Sequence, residues 1–193
     1  MNASPLTVRA FERRDVTDVL RLMRGLAIFE GYIEKFFVTE SDLIEHGLGD
    51  NPRFGVLVAD LGGRAVGIAV HYVIPWTYDL KPTLVLKELF VDETARSAGA
   101  GAALIAALKR HAAMIGAPRI NWTVLATNDA AKRFYRREGG SHDAIWEPWT
   151  MPVEIAADGC ENEMSAWPGD EKVASNPGKA FVTRLGRPSR DLA

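Results

Sequence analysis

The sequence predicts an α/β protein: one mixed β-sheet with helices packed on both of its faces. Three observations carry this. Segments of two-residue and helical periodicity alternate along the chain in the order β-α-α-β-β-β-α-β-α-β. One extended segment, TLVLKELFV at 83–91, is apolar on both faces except at Lys87 and Glu88, which suits a strand at the centre of a sheet. Between two other extended runs stands Gly62-Gly63, a strong signal for a tight hairpin.

The elements follow in order. LTVRAF at 6–11 alternates as a first strand. From about Asp15, a helix is predicted whose buried stripe is Val16, Val19, Leu20, Met23 and Ala27, with Leu26 beside it. VTESDLIEHGL reads as a short second helix, with Thr39 as N-cap, Asp42 as its reciprocal acid and Gly47 or Gly49 as the stop. FGVLVADLGGRAVGIAVHYVI supplies the hairpin, and Pro75 and Pro82 bracket the loop before the central strand. A helix then runs to about Met114, ended by Gly116 and Pro118, and RINWTVLA is read as a strand. Asn128 caps the helix DAAKRFYRRE, which stops at Gly139-Gly140. AIWEPWTMPVEI is the expected last strand, interrupted at Pro148. The expected division is a domain over 1–155 and an extension over 156–193.

That extension changes character. Its first half holds the acids Asp158, Glu161, Glu163, Asp170 and Glu171, its second half the bases Lys172, Lys179, Arg184, Arg187 and Arg190, with Pro168, Pro177 and Pro188 between them. It reads either as a mobile, loosely packed tail or as an arm across a partner subunit.

Composition removes several classes of function. A chain of 193 residues with 47% hydrophobic and 25% charged residues is an ordinary globular protein. Its net charge of −2 offers no basic patch for a nucleic acid. Cys160 is the only cysteine, so an internal disulfide framework and a multi-cysteine metal cage are excluded. His46, His71, His111 and His142 show no ligand spacing, and no metal is expected. No run has the length and apolarity of a signal peptide or a membrane span, and the expected location is cytoplasmic.

The chemistry begins at ARSAGAGAAL, 95–104. Arg96, Gly99 and Gly101 form R-x-x-G-x-G between the central strand and a helix. Glycines let backbone approach an anion, and the first N–H groups of a helix have no intrahelical acceptor and bind phosphate oxygens. The same residues also fit an alanine-rich helix start whose glycines serve close packing. A P-loop is ruled out by the missing G-x-x-x-x-G-K-[ST], and the dinucleotide fingerprint by the missing third glycine.

Two motifs together settle on a family. Arg96-Ser97-Ala98-Gly99-Ala100-Gly101 resembles the pyrophosphate loop of the GNAT superfamily of acyl-CoA N-acyltransferases, and Asn128, Ala131, Phe134, Tyr135 and Gly139 resemble its N-x-x-A-x-x-F-Y-x-x-x-G segment. Within it, LRLMRGLAIFE, VTESDLIEHGLGDNPRF and LVAD are similar to diamine acetyltransferases of the spermidine/spermine type. The resemblance implies a GNAT-like fold and acetyl-CoA as co-substrate. It implies a small-molecule amine acceptor and a homodimer as well. It places the pantetheine arm along the backbone of Leu89, Phe90 and Val91, and the pyrophosphate at Arg96 to Ala102, with Asn128 nearby. It makes Tyr135 the proton donor to the leaving thiolate.

An alkylamine with a pKa of about 10.4 is protonated at neutral pH and must lose that proton before it attacks. Glu88 is the candidate base or amine anchor, because a carboxylate near a sheet centre is costly without a partner. Strict alternation puts Glu88 on the face of Leu84, Leu86 and Phe90, with Lys87 opposite. Diamine acetyltransferases tend to carry two adjacent acids here, so Lys87 in place of the first one questions a polyamine substrate. Phe29 and Glu30, after the first helix, lie where the resembling family places acceptor contacts and are the remaining acceptor candidates. The alternatives are a protein or antibiotic amine as acceptor, or a coenzyme A-binding sensor without turnover.

Overall fold

The computed structural model describes residues 5–153. The chain divides between Asp143 and Ala144 into two units. The first is built on a five-stranded sheet in sequence order: β1 (Leu6–Ala10), β2 (Gly55–Leu61), β3 (Arg64–Pro75), β4 (Pro82–Val91) and β5 (Ile120–Asn121). The first four pair antiparallel, and β5 lies parallel to β4.

Four α-helices cover it: α1 (Val16–Glu30), α2 (Glu40–Leu48), α3 (Ala100–Met114) and α4 (Asp129–Arg137). On one face, α1 and α2 bury Val19, Leu22, Met23 and Leu43 against Val58, Ile68 and Val70. On the other, Leu104 and Leu108 of α3 meet Ala59, Ala69, Leu84 and Leu86, with Phe134 and Tyr135 of α4 packed alongside. This is the mixed α/β sheet with helices on both faces that the sequence predicts.

Local chemistry fixes the boundaries. Thr39 caps α2: its hydroxyl accepts from the Asp42 N–H at 3.2 Å, and the Asp42 carboxylate accepts from the Thr39 N–H at 2.8 Å. Gly49, not Gly47, follows the last turn. Gly62 and Gly63 both have positive φ, which makes the β2–β3 turn. Before α1, the Arg9 guanidinium bonds both Asp15 oxygens, at 2.6 and 2.8 Å, and Asp60 at 2.7 Å. Arg21 of α1 grips both oxygens of Asp92 at 2.9 Å and donates to the Ala65 carbonyl at 3.0 Å, tying the helix to the ends of β3 and β4.

Four expectations are corrected. Leu22, fully buried, occupies the core position expected of Leu20, which is half-buried. The strand expected over 119–126 is formed only by Ile120–Asn121, because its ladder with β4 stops at Val85↔Asn121 and a strand without a partner leaves its backbone unpaired. Residues 144–153 of the second unit contain no helix or strand where a last strand was expected; Pro148 and Pro152 remove ladder donors there. The fourth concerns β4. Val70 pairs with Glu88, and the next residue, His71, pairs with Leu86, so Lys87 is an extra residue in a β-bulge. The bulge turns the strand over: Leu84 and Leu86 face α3, as do Leu89 and Val91, while Phe90 packs toward α1. Glu88 therefore does not share a face with Leu84 and Leu86. The expected extension over 156–193 lies outside the described residues.

Candidate active site

The site is organised by the half of β4 that follows the bulge. On its β3 side, Leu89, Phe90 and Val91 are paired with Ala69, Ile68 and Gly67. On its other side, the ladder to β5 ends at Val85, so among the described residues the backbone from Leu86 onward has no strand neighbour there. The open edge exposes backbone donors and acceptors to an extended ligand.

Directly beyond β4 comes the small-residue stretch. Residues Glu93–Ala98 form a 3-10 turn, and Gly99 reverses the chain in the left-handed region at φ 78°, a conformation that L side chains resist. The first bond of α3 runs from the Ala103 N–H to the Gly99 carbonyl at 3.0 Å, so the N–H groups of Ala100, Gly101 and Ala102 have no acceptor within the helix. Ser97 and Ala98 belong to the turn, and Arg96 is exposed. Its Nε donates to the Val91 carbonyl at 3.4 Å, and its guanidinium stands 3.6 Å from Glu93. A cationic group thus lies between the strand end and the helix start. Gly101 serves packing as well: a Cβ there would stand 3.3 Å from the Phe134 ring.

Asn128 acts as the cap of α4. Its side-chain oxygen accepts from the Ala131 N–H at 3.0 Å. On the same helix, half-buried Tyr135 stacks against Trp122 with ring centroids 4.9 Å apart and against Phe134 at 5.4 Å. Burial and the nearby charge of Glu30 push its phenol up to about 12.

The acidic side has three members. Glu88 is half-buried, and its Oε2 is out of solvent with no hydrogen-bond partner. Burial holds its carboxyl above the usual range; Lys87 pulls it down and Glu30 pushes it up further. Glu30 is exposed at the last residue of α1. Tyr32, just past that helix end, is the third, raised to about 12 by burial, by Glu88 and by Glu30. Glu30 thus acts electrostatically on Glu88, Tyr32 and Tyr135, and Glu88 acts on Tyr32 as well. Phe29 is 58% exposed and joins them in sequence only.

Tyr32 is the site residue that sequence reasoning missed. It lies outside any periodic segment and outside both motifs; its one signal was adjacency to Phe29-Glu30. Of the four histidines, His71 and His111 meet edge to face at 4.9 Å. Among the described residues no cluster of three His, Cys, Asp or Glu side chains could hold a metal ion, and no helix is long and apolar enough to cross a membrane.

The chain is similar to known acetyltransferases. A human spermidine/spermine N(1)-acetyltransferase-like protein is 28% identical over 153 residues, 75% of this chain, although the chain spans only 22% of that protein's length. A mouse thialysine N-epsilon-acetyltransferase is 27% identical over 150 residues, 74% of this chain and 88% of the relative. Among solved structures, an aminoglycoside acetyltransferase from a soil metagenomic sample, in complex with sisomicin, superposes with a TM-score of 0.63 at 21% identity, covering 76% of this chain and 97% of that one. At that identity it shows a shared fold. The profile of the acetyltransferase (GNAT) family matches residues 22–140, a span that contains β4, the phosphate-type loop and α4. On that match, the chain belongs to the GNAT acetyltransferase family and is an acetyl-transferring enzyme.

Proposed function

We propose that the enzyme moves an acetyl group from acetyl-CoA to the primary amine of a small molecule, by direct attack in a ternary complex. The observation that carries this reading is the Glu88 carboxylate of β4, with one oxygen buried and unpartnered, close enough to Glu30 and Tyr32 for their charges to act on one another. An orphaned buried oxygen is costly, and a bound ammonium would satisfy it.

The donor side fits the co-substrate. The unpaired edge along Leu89, Phe90 and Val91 suits an amide-bearing pantetheine arm. The free N–H groups of Ala100 to Ala102, with Arg96, suit a pyrophosphate. When bound, acetyl-CoA supplies the activated thioester. Glu88 takes the proton from the amine, directly or through water. Backbone N–H on the β4 edge polarises the carbonyl under attack. Tyr135, protonated throughout the physiological range, donates to the departing sulfur. Glu30 draws the cationic acceptor toward Glu88. Asn128 orders the start of the Tyr135 helix. The resemblance to diamine acetyltransferases adds a homodimer to this reading, and the composition of the sequence adds a cytoplasmic location.

Thiol release from acetyl-CoA against a panel of amines tests it. Turnover is expected with at least one small amine, falling about 10²-fold or more in Glu88→Gln. Saturable acetyl-CoA binding with no acetylation of any amine would overturn the reading in favour of a sensor.

A further inference from the structure

The bulge in β4 brings a positive charge onto the acceptor side. Leu86 and Leu89 both face α3 although they are three residues apart, so one pair of neighbours between them must share a side. Glu88, the partner of Val70, stands toward α1 with Phe90. Leu86 is 3% exposed beneath α3, whereas Lys87 is exposed. Lys87 therefore stands with Glu88, not opposite it, and its charge acts on the Glu88 carboxylate.

Among the described residues Lys87 makes no hydrogen bond and no ion pair, so its ammonium is available to a ligand. The acceptor locus thus carries two signs: the acids Glu88 and Glu30, and the cation Lys87. A polyamine is positive at every nitrogen and meets Lys87 as a like charge. An amine that carries its own carboxylate meets attraction at both ends. Repulsion of one ligand and attraction of another is how a single residue sets selectivity.

We infer that Lys87 is a specificity-determining residue that selects amines bearing a carboxylate, of the amino-acid-like diamine class, over polyamines and simple diamines. This rests on the acetyl-transfer reading of the same site. The mouse relative's name, a thialysine acetyltransferase, is compatible with that class.

The test compares kcat/KM for L-lysine and thialysine with that for their decarboxylated counterparts, at saturating acetyl-CoA. The parent enzyme should favour the carboxylate-bearing member of each pair by about tenfold or more, the size expected of one close, partly exposed charge contact. Lys87→Arg should keep the preference, Lys87→Gln should erase it, and Lys87→Glu should reverse it. A parent enzyme that uses both members equally, or a ratio that Lys87→Gln leaves unchanged, overturns the inference and leaves acetyl transfer standing. An enzyme that binds acetyl-CoA but acetylates none of the amines overturns both.

Discussion

The ring of Phe134 in α4 fills the space where a side chain at Gly101 would begin, 3.3 Å from a Cβ built there. Gly101 thereby sets the spacing between α3 and the helix that carries Tyr135. Gly101→Leu should force them apart, at about 1–3 kcal/mol of stability. Gly99→Ala meets open space but keeps φ at 78°, and should cost about 1–2 kcal/mol through backbone strain alone. Thermal unfolding and acetyl-CoA titration check both: the first variant should lose stability and affinity together. An unchanged Tm in Gly101→Leu would mean that the two helices do not touch.

On the proposed mechanism, removing the Tyr135 hydroxyl should separate chemistry from binding. Tyr135→Phe keeps the ring against Trp122 and Phe134, so the acetyl-CoA dissociation constant should stay within about twofold while kcat falls about 10²-fold. Because the phenol is raised to about 12, no loss of rate from its ionisation should appear below pH 10. Equal losses in affinity and kcat would remove Tyr135 from the chemistry.

The acid limb of the rate profile reports Glu88. If Glu88 is the base of the proposed mechanism it must be ionised, so kcat/KM should rise with pH through the Glu88 pKa, which burial holds above the ordinary carboxylate range. Glu30 pushes that pKa up and Lys87 pulls it down. Glu30→Gln should therefore move the acid limb to lower pH, and Lys87→Gln should move it to higher pH. Rate profiles of the two variants that shift in the same direction would exclude Glu88 as their common target.

At the opposite end of the sheet, Arg9 clamps Asp15 and Asp60. Burial raises the Asp15 carboxyl, but the Arg9 hydrogen bonds and the Glu12 N–H outweigh it and hold the carboxyl below its ordinary value; Arg9 does the same for Asp60. Carboxylates depressed in the folded state contribute stability that is complete above their unfolded pKa of about 3.9 and is lost as pH falls through the folded values. Denaturant melts should show stability declining below about pH 4. In Asp15→Asn the neutral-pH stability should drop by about 3 kcal/mol and the acid decline should shrink. A variant that matches the parent at every pH would show the clamp to be idle.

What the sequence made legible was local. The Thr39–Asp42 box, the Gly62-Gly63 turn and the Asn128 cap each depend on residues within a few positions, and each stands where expected. The α1 stripe was readable to within one side chain, since Leu20 and Leu22 flank the same helical face and only packing separates them. The bulge was not legible: Lys87 is extra only relative to His71 and Val70 on another strand, and alternation counted along β4 alone puts Glu88 on the wrong side. Tyr32 escaped for a similar reason, because the charges that act on it, Glu30 and Glu88, come from two separate elements. Residues 122–126 carry β-forming side chains beyond the point where the ladder with β4 ends, and Pro148 and Pro152 interrupt the apolar run over 144–153.

The bulge also bears on how this strand tolerates insertion and deletion. Without Lys87, the residues Leu86, Glu88, Leu89 and Phe90 would alternate in strict period, every one on the face that it already occupies. Position 87 is thus a slot where the chain can lengthen or shorten by one without turning a core leucine to water. A lineage could trade residues there, in identity and even in number, while the sheet stayed in phase, and each trade would alter the charge standing next to Glu88.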